Sequence, residues 1–238
     1  MRLTRSKKGT FAVASSAKSR WLVPTLLIAL TVVPMIGGAV RVADLAGNAP
    51  TTPDNARFVA MPVPVLVHIF TASVFCVLGA LQFAPGLRRR GWHRIAGRIT
   101  VPCGLAAALS GLWMTLFYPD APGDGALLVG IRLVFGSAMF ASLALGFAAI
   151  RRRDLIRHSA WMIRGYAIGQ GAGTQVLTNV PWLLLFGVPG TVTRAMLMAA
   201  GWVINVAVAE WVIRRRPAGP RRSAMVVADS APGHLTSQ

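Results

Sequence analysis

The sequence predicts an all-α fold: a polytopic transmembrane helix bundle of six spans with both termini in the cytoplasm. Three observations predict it. Of the 238 residues, 54% are hydrophobic and only 13% charged, with a mean hydropathy of +0.57, whereas a soluble domain carries about a quarter charged residues. The charges gather in short clusters separated by apolar stretches of roughly twenty residues, the length that spans a hydrocarbon core. Lysine and arginine crowd every second connection, and positive charge stays cytoplasmic.

Taken in order, residues 1–20 are polar and basic and read as a cytoplasmic tail. The first span covers 21–40. Its apolar part is too long for a signal sequence and no small-x-small cleavage site follows, so it reads as an uncleaved anchor. The connection 41–58 holds Asp44, Pro50, Pro53 and Asp54 and is too polar to insert. The second span, 59–83, leads into the basic connection GLRRRGWHRIAGR. The third, 99–118, is stopped by PDAPGDG, a turn-rich segment carrying Asp120 and Asp124. The fourth, 126–150, ends at RRRDLIR. The fifth, 158–179, is less apolar and rich in glycine, and an interfacial turn or partial helix with Pro181, Trp182 and Pro189 follows it. The sixth, 195–213, opens through RRRPAGPRR into a disordered cytoplasmic tail, 214–238.

Charge orients the bundle. Six Lys/Arg lie in the N-terminal tail, five in the second-to-third connection, four in the fourth-to-fifth and five in the C-terminal flank, so twenty share one side. The other side holds Arg41 and Arg57 with Asp44, Asp54, Asp120 and Asp124. The expected location is the bacterial plasma (inner) membrane, N-in and C-in.

The net charge of +18 raises the question of nucleic acid, and position answers it. The basic residues flank apolar spans, where insertion and anionic lipid head groups require them. No zinc-finger spacing, RNA-binding aromatic motif or phosphate-cradling loop accompanies them. The expected partner is the lipid bilayer, not nucleic acid. Cys76 and Cys103 both fall inside spans and read as small packing residues rather than a disulfide framework. There is no Ser-His-Asp order, HExxH, CxxC or Walker loop, so hydrolase and phosphoryl-transfer chemistry find no support and the reading leans away from an enzyme.

Ionisable residues inside spans are costly and direct attention to function. His93 begins a face that continues through Gly97, Thr100, Gly104, Ala107 and Gly111 at helical spacing. His158 begins another through Met162, Gly165, Gly169 and Gly173, the last three a GxxxGxxxG run that lets helices approach closely in lipid. Within that run Gly169 is expected to tolerate leucine less well than Gly146, which the sequence places in a bulky apolar neighbourhood. Two imidazoles at one depth on small-residue faces suit the axial ligation of haem b, with His93 and His158 as ligands; against this stands the plainer reading of hydrogen-bonding anchors beside arginines. His68 lies toward the outer half of the second span, at another depth. Arg132 is expected to reach toward Asp120 or Asp124. Arg164 and Glu210 lie about 9 Å and 5 Å inside their spans by helical rise, and antiparallel packing brings them within reach of each other. A structural ion pair is the bland account; a proton or substrate path with Gln170, Gln175 and Asn205 is the sharper one.

The segments HRIAGRIT and RHSAWMIRGYA, with VHIF and GALQF in the second span, resemble a family of uncharacterised bacterial polytopic membrane proteins, a domain of unknown function. The matching positions are His93, Arg94, Gly97 and Arg98, then His158, Trp161, Met162, Arg164 and Tyr166. The likeness covers about 59–179. Ser159 departs from an arginine of the family pattern and Thr100 from a tyrosine. The resemblance implies topology and no established activity.

The functional centre is therefore expected at His93, Arg94, Arg98, His158 and Arg164. The sequence identifies no activity for this multi-pass membrane protein, and a haem-binding electron-transfer subunit is one hypothesis for it. A small transporter or proton-coupled carrier using His68, Arg164 and Glu210 is the alternative. A non-catalytic scaffold is the third reading, and the GxxxG face with the basic tails suits a homo-oligomer or a membrane partner.

Overall fold

The computed structural model describes residues 10–47, 50–84, 86–87 and 91–216. Their regular structure is entirely helical: α1 (Thr10–Ala46), α2 (Ala56–Ala60), α3 (Pro62–Gln82), α4 (Trp92–Phe117), α5 (Ala126–Arg151), α6 (Leu155–Gly169), α7 (Gly171–Phe186) and α8 (Thr191–Arg214). Five of these are long and apolar enough to cross a membrane: α1 from Trp21 onward, α3, α4, α5 and α8.

The expected fifth span is not one such helix. The chain from 155 to 186 forms two shorter helices, α6 and α7, that part at Gln170 (φ −76°, ψ 0°). The local sequence explains the break. Gly169, Gly171 and Gly173 fall within five residues, and each glycine costs a helix about 1 kcal/mol relative to alanine. Polar Gln170, Thr174, Gln175 and Asn179 lower the hydropathy further. Past Asn179 the helix continues through Pro181 to Phe186, where an interfacial turn or partial helix was expected.

Two helix ends also differ from the sequence reading. α4 begins at Trp92 rather than 99, which places His93 in its first turn instead of in a connection. α1 begins at Thr10, inside the expected tail. Residues 1–9 and 217–238, the rest of the expected tails, lie outside the described residues.

Helices adjacent in sequence pack side by side, α3 on α4, α4 on α5, α5 on α6 and α7 on α8, while α1 closes against α3 and α7. Phe75, Ala80, Ala108, Met139, Leu143, Tyr166 and Ile168 form the core between them. In lipid no hydrophobic force holds helices together, so close approach at small residues takes its place. The glycine run does this in an unexpected way. Gly165 faces Leu143 and Ser142 of α5, Gly169 faces Phe75 of α3, and Gly173 lies against the Leu30 carbonyl of α1. Gly169 also meets Met139 of α5, so Gly165 and Gly169, one turn apart on α6, share a face on which α5 and α3 converge, and beyond the break at Gln170 Gly173 meets α1.

Hydrogen bonds define two ends of the bundle. At one, which carries the basic connections, the His93 carbonyl accepts from Gln82, His158 bonds to Gly146, and Arg216 bonds to Ser159. At the other, Tyr118 donates to the Met61 carbonyl (2.5 Å) and Arg194 reaches Asp124.

Candidate functional site

At the basic end, the start of α6 is set by Asp154, whose carboxylate accepts from the Arg157 N–H at 3.0 Å as an N-cap. The turn into it passes through Arg153 in the left-handed region (φ 59°). This tight turn lays α6 back along α5 and brings His158 over Gly146. The imidazole Nδ1 lies 2.8 Å from the Gly146 carbonyl. A carbonyl can only accept, so Nδ1 carries the proton and a neutral ring keeps its lone pair on Nε2.

His93 and His158 line the same cavity, about 660 Å³ between α4 and α6, whose deeper wall is apolar: Phe75, Leu143, Met162 and Tyr166. They also share the adjoining lobe of about 550 Å³, where Arg94 and Arg98 stand beside Gly97 and Phe147. At Gly97 an added Cβ would meet nothing within 4 Å, so the α4 wall is open there. The structure thus gathers four of the five expected residues around one space.

Arg164 is elsewhere. It leaves α6 toward α8 and binds Glu210 bidentately, Nε to Oε1 at 2.5 Å and Nη2 to Oε2 at 3.1 Å, with its guanidinium over Trp161. The polar residues suggested as a path from this pair are each satisfied locally. Gln170 donates to the Tyr166 hydroxyl (2.6 Å), which donates to the Cys76 carbonyl (2.8 Å). Asn205 bonds Thr174 and the Ala167 carbonyl, and Gln175 bonds the Met198 carbonyl. These side chains tie helices together around the break between α6 and α7.

His68 lies toward the opposite end. Its Nδ1 is 3.0 Å from the Ala107 carbonyl and 3.1 Å from Ser110 Oγ, whose own proton goes to the Ala106 carbonyl. It lines a separate cavity of about 350 Å³. Sequence reasoning missed this cavity, although its charged rim is written in the sparse-side residues Arg57, Asp120, Asp124 and Arg132. Asp124, with a fully enclosed carboxylate, bridges Arg132 (2.7 Å) and Arg194 (2.9 Å). Burial lowers the pKa of Arg57 from its ordinary value; the nearby Asp124 opposes this, while Arg132, Arg41 and Arg194 add to it.

The chain belongs to the family described as "Predicted membrane protein (DUF2306)", whose model matches residues 65–213. No curated protein matches it, and no solved structure does either.

Proposed function

We propose that the chain crosses the bacterial plasma membrane six times, with α6 and α7 together forming the fifth crossing, and that it binds haem b at the cytoplasmic end as an electron-transfer subunit. The observation that carries the haem reading is the shared cavity: His93 on α4 and His158 on α6 line one space of about 660 Å³, inside the usual range for cofactor sites. Two imidazoles suffice for haem because the porphyrin supplies the remaining ligands. The hydrogen bond from Nδ1 to the Gly146 carbonyl favours it as well, since ligating histidines typically donate their second nitrogen in this way, which orients the ring and raises its basicity. The open wall at Gly97 leaves room for a flat ring, and Arg94 and Arg98 in the adjoining lobe suit the propionate carboxylates. Bound haem iron would carry one electron at a time between ferric and ferrous states. The protein's part is to hold the ring, shield it with Phe75, Leu143 and Tyr166, and keep it at the membrane edge.

Protein purified from haem-replete cells is expected to show a Soret band and sharpened absorption bands on reduction. His93→Ala or His158→Ala should abolish six-coordinate low-spin haem, while His68→Ala, in another cavity, leaves the spectrum intact. A colourless protein that takes up no added haemin ends the haem reading, and the histidines would then serve as hydrogen-bonding anchors.

The orientation rests on the twenty basic residues of one side. Reporter fusions after Asp54 and Asp124 are expected on the periplasmic side, and fusions after Arg90, Arg153 and Arg216 in the cytoplasm. A periplasmic signal after Arg153 would overturn the six-crossing topology at its centre.

A further inference from the structure

The cavity at the end opposite the basic connections has its charges and its shape arranged in a way that ion pairing inside the protein does not account for. Asp124 spends one carboxylate oxygen on Arg132 and the other on Arg194, so two cations share one anion. Arg57, carried into the rim by the short helix α2, has no carboxylate partner among the described residues. One Nη is 3.4 Å from the Pro119 carbonyl, the guanidinium lies over the Phe58 ring, and its Nε is enclosed without a hydrogen-bond partner. Asp120 also belongs to the rim, where it is exposed to solvent. A half-buried guanidinium without a carboxylate, beside two arginines that share one, makes a rim with an excess of cations, and an anion is the group that balances it best.

Below this cationic rim the walls turn apolar. Leu112, Met139, Ile168 and Trp202 line the deeper part, and His68 is the titratable side chain set among them. Its Nδ1 faces the Ala107 carbonyl, which leaves Nε2 of the neutral ring as a hydrogen-bond acceptor. A few polar groups at fixed positions on an apolar wall is the usual make-up of a small-molecule site, and about 350 Å³ lies at the small end of that class.

We propose that this cavity binds an anionic group carried on a compact apolar body, with Arg57 and Arg132 holding the acidic head and the body lying against Leu112, Met139 and Trp202. A soluble carboxylic acid and an anionic lipid both present that chemistry. The site is distinct from the histidine cavity at the basic end and does not depend on the haem reading.

The test uses the full chain in phosphatidylcholine nanodiscs, titrated with benzoate and, in parallel, with benzamide, its neutral counterpart. Saturable benzoate binding with no benzamide binding is expected. Arg57→Gln should weaken benzoate by roughly tenfold or more, the worth of a hydrogen bond to a charged group, and Arg57→Lys should weaken it less, since the charge is kept. Both changes replace a half-buried side chain on the five-residue helix α2, and an unchanged Tm separates lost binding from lost fold. Equal binding of both probes, no benzoate binding, or unaltered binding in Arg57→Gln would overturn the proposal. Repeating the titration in phosphatidylglycerol discs assigns the source. Benzoate excluded there identifies a lipid head group in the same site, and benzoate affinity unchanged there identifies a soluble acid.

Discussion

Replacing Arg164 with alanine is expected to destabilise the protein by about 2 kcal/mol, between what breaking an exposed and a buried ion pair costs. The intermediate value applies because the two side chains keep 28% and 31% of their surface uncovered. The cost arises from Glu210, whose carboxylate loses both of the hydrogen bonds that Arg164 supplies and is left charged among apolar side chains. Removing both groups strands neither. Arg164→Ala with Glu210→Ala should therefore be less harmful than the sum of the single changes, with a coupling above about 1 kcal/mol. Arg164→Lys should recover only part of the loss, because an ammonium cannot reproduce the two parallel bonds of a guanidinium. Thermal unfolding of the four variants in one detergent measures the cycle. Strict additivity would mean that the pair, although in contact, contributes nothing to holding α6 on α8.

This pair is legible in the sequence, and the reason is physical. Charges in apolar helices must find partners, and the rise of the helix states the depth at which the partner lies. The same reasoning leads from Arg132 to Asp120 or Asp124; the structure pairs it with Asp124 and adds Arg194 as the second cation. The apolar lengths of α3, α4, α5 and α8 are legible for a similar reason, since hydrocarbon thickness sets them.

Other features are not written locally. The break at Gln170 depends on glycines whose effect in a helix is decided by what packs on them. Apolar periodicity records which face is small and says nothing about how many neighbours share it. The cavities are spaces that side chains fail to fill, so they appear only once α4 and α6, or α3 and α8, are placed. Arg57 enters the cavity rim from a turn over residues 50–55, in which Asn55 accepts from the Thr52 N–H and donates to the Pro50 carbonyl. Nothing in the spacing of charges foretells that. His93 is a middle case: its face is visible in the sequence, and the roughly two extra turns of α4 that carry it are not.

Gly146 shows where the pattern misleads. Outside any glycine run it reads as a position that tolerates bulk, yet it is buried, lies against Met162 and Trp161, and offers its carbonyl to His158. An added methyl there meets the tip of Met162, a flexible side chain that can swing aside. At Gly173 the added methyl falls onto the carbonyl oxygen and carbonyl carbon of Leu30, which are backbone atoms of α1 and cannot yield without moving the helix. At Gly97 it meets open space. Three alanine substitutions should therefore rank by what they touch rather than by motif. Gly173→Ala is expected to destabilise by roughly 2–3 kcal/mol, as overpacking against an unyielding neighbour does. Gly146→Ala should cost less than that. Gly97→Ala should be neutral or stabilising by up to about 1 kcal/mol, the helix-propensity gain of alanine over glycine. Melting temperatures of the three variants decide the order. If Gly173→Ala melts with Gly97→Ala, α7 does not rest on α1 through its backbone, and the division of the glycine row among three helices is wrong.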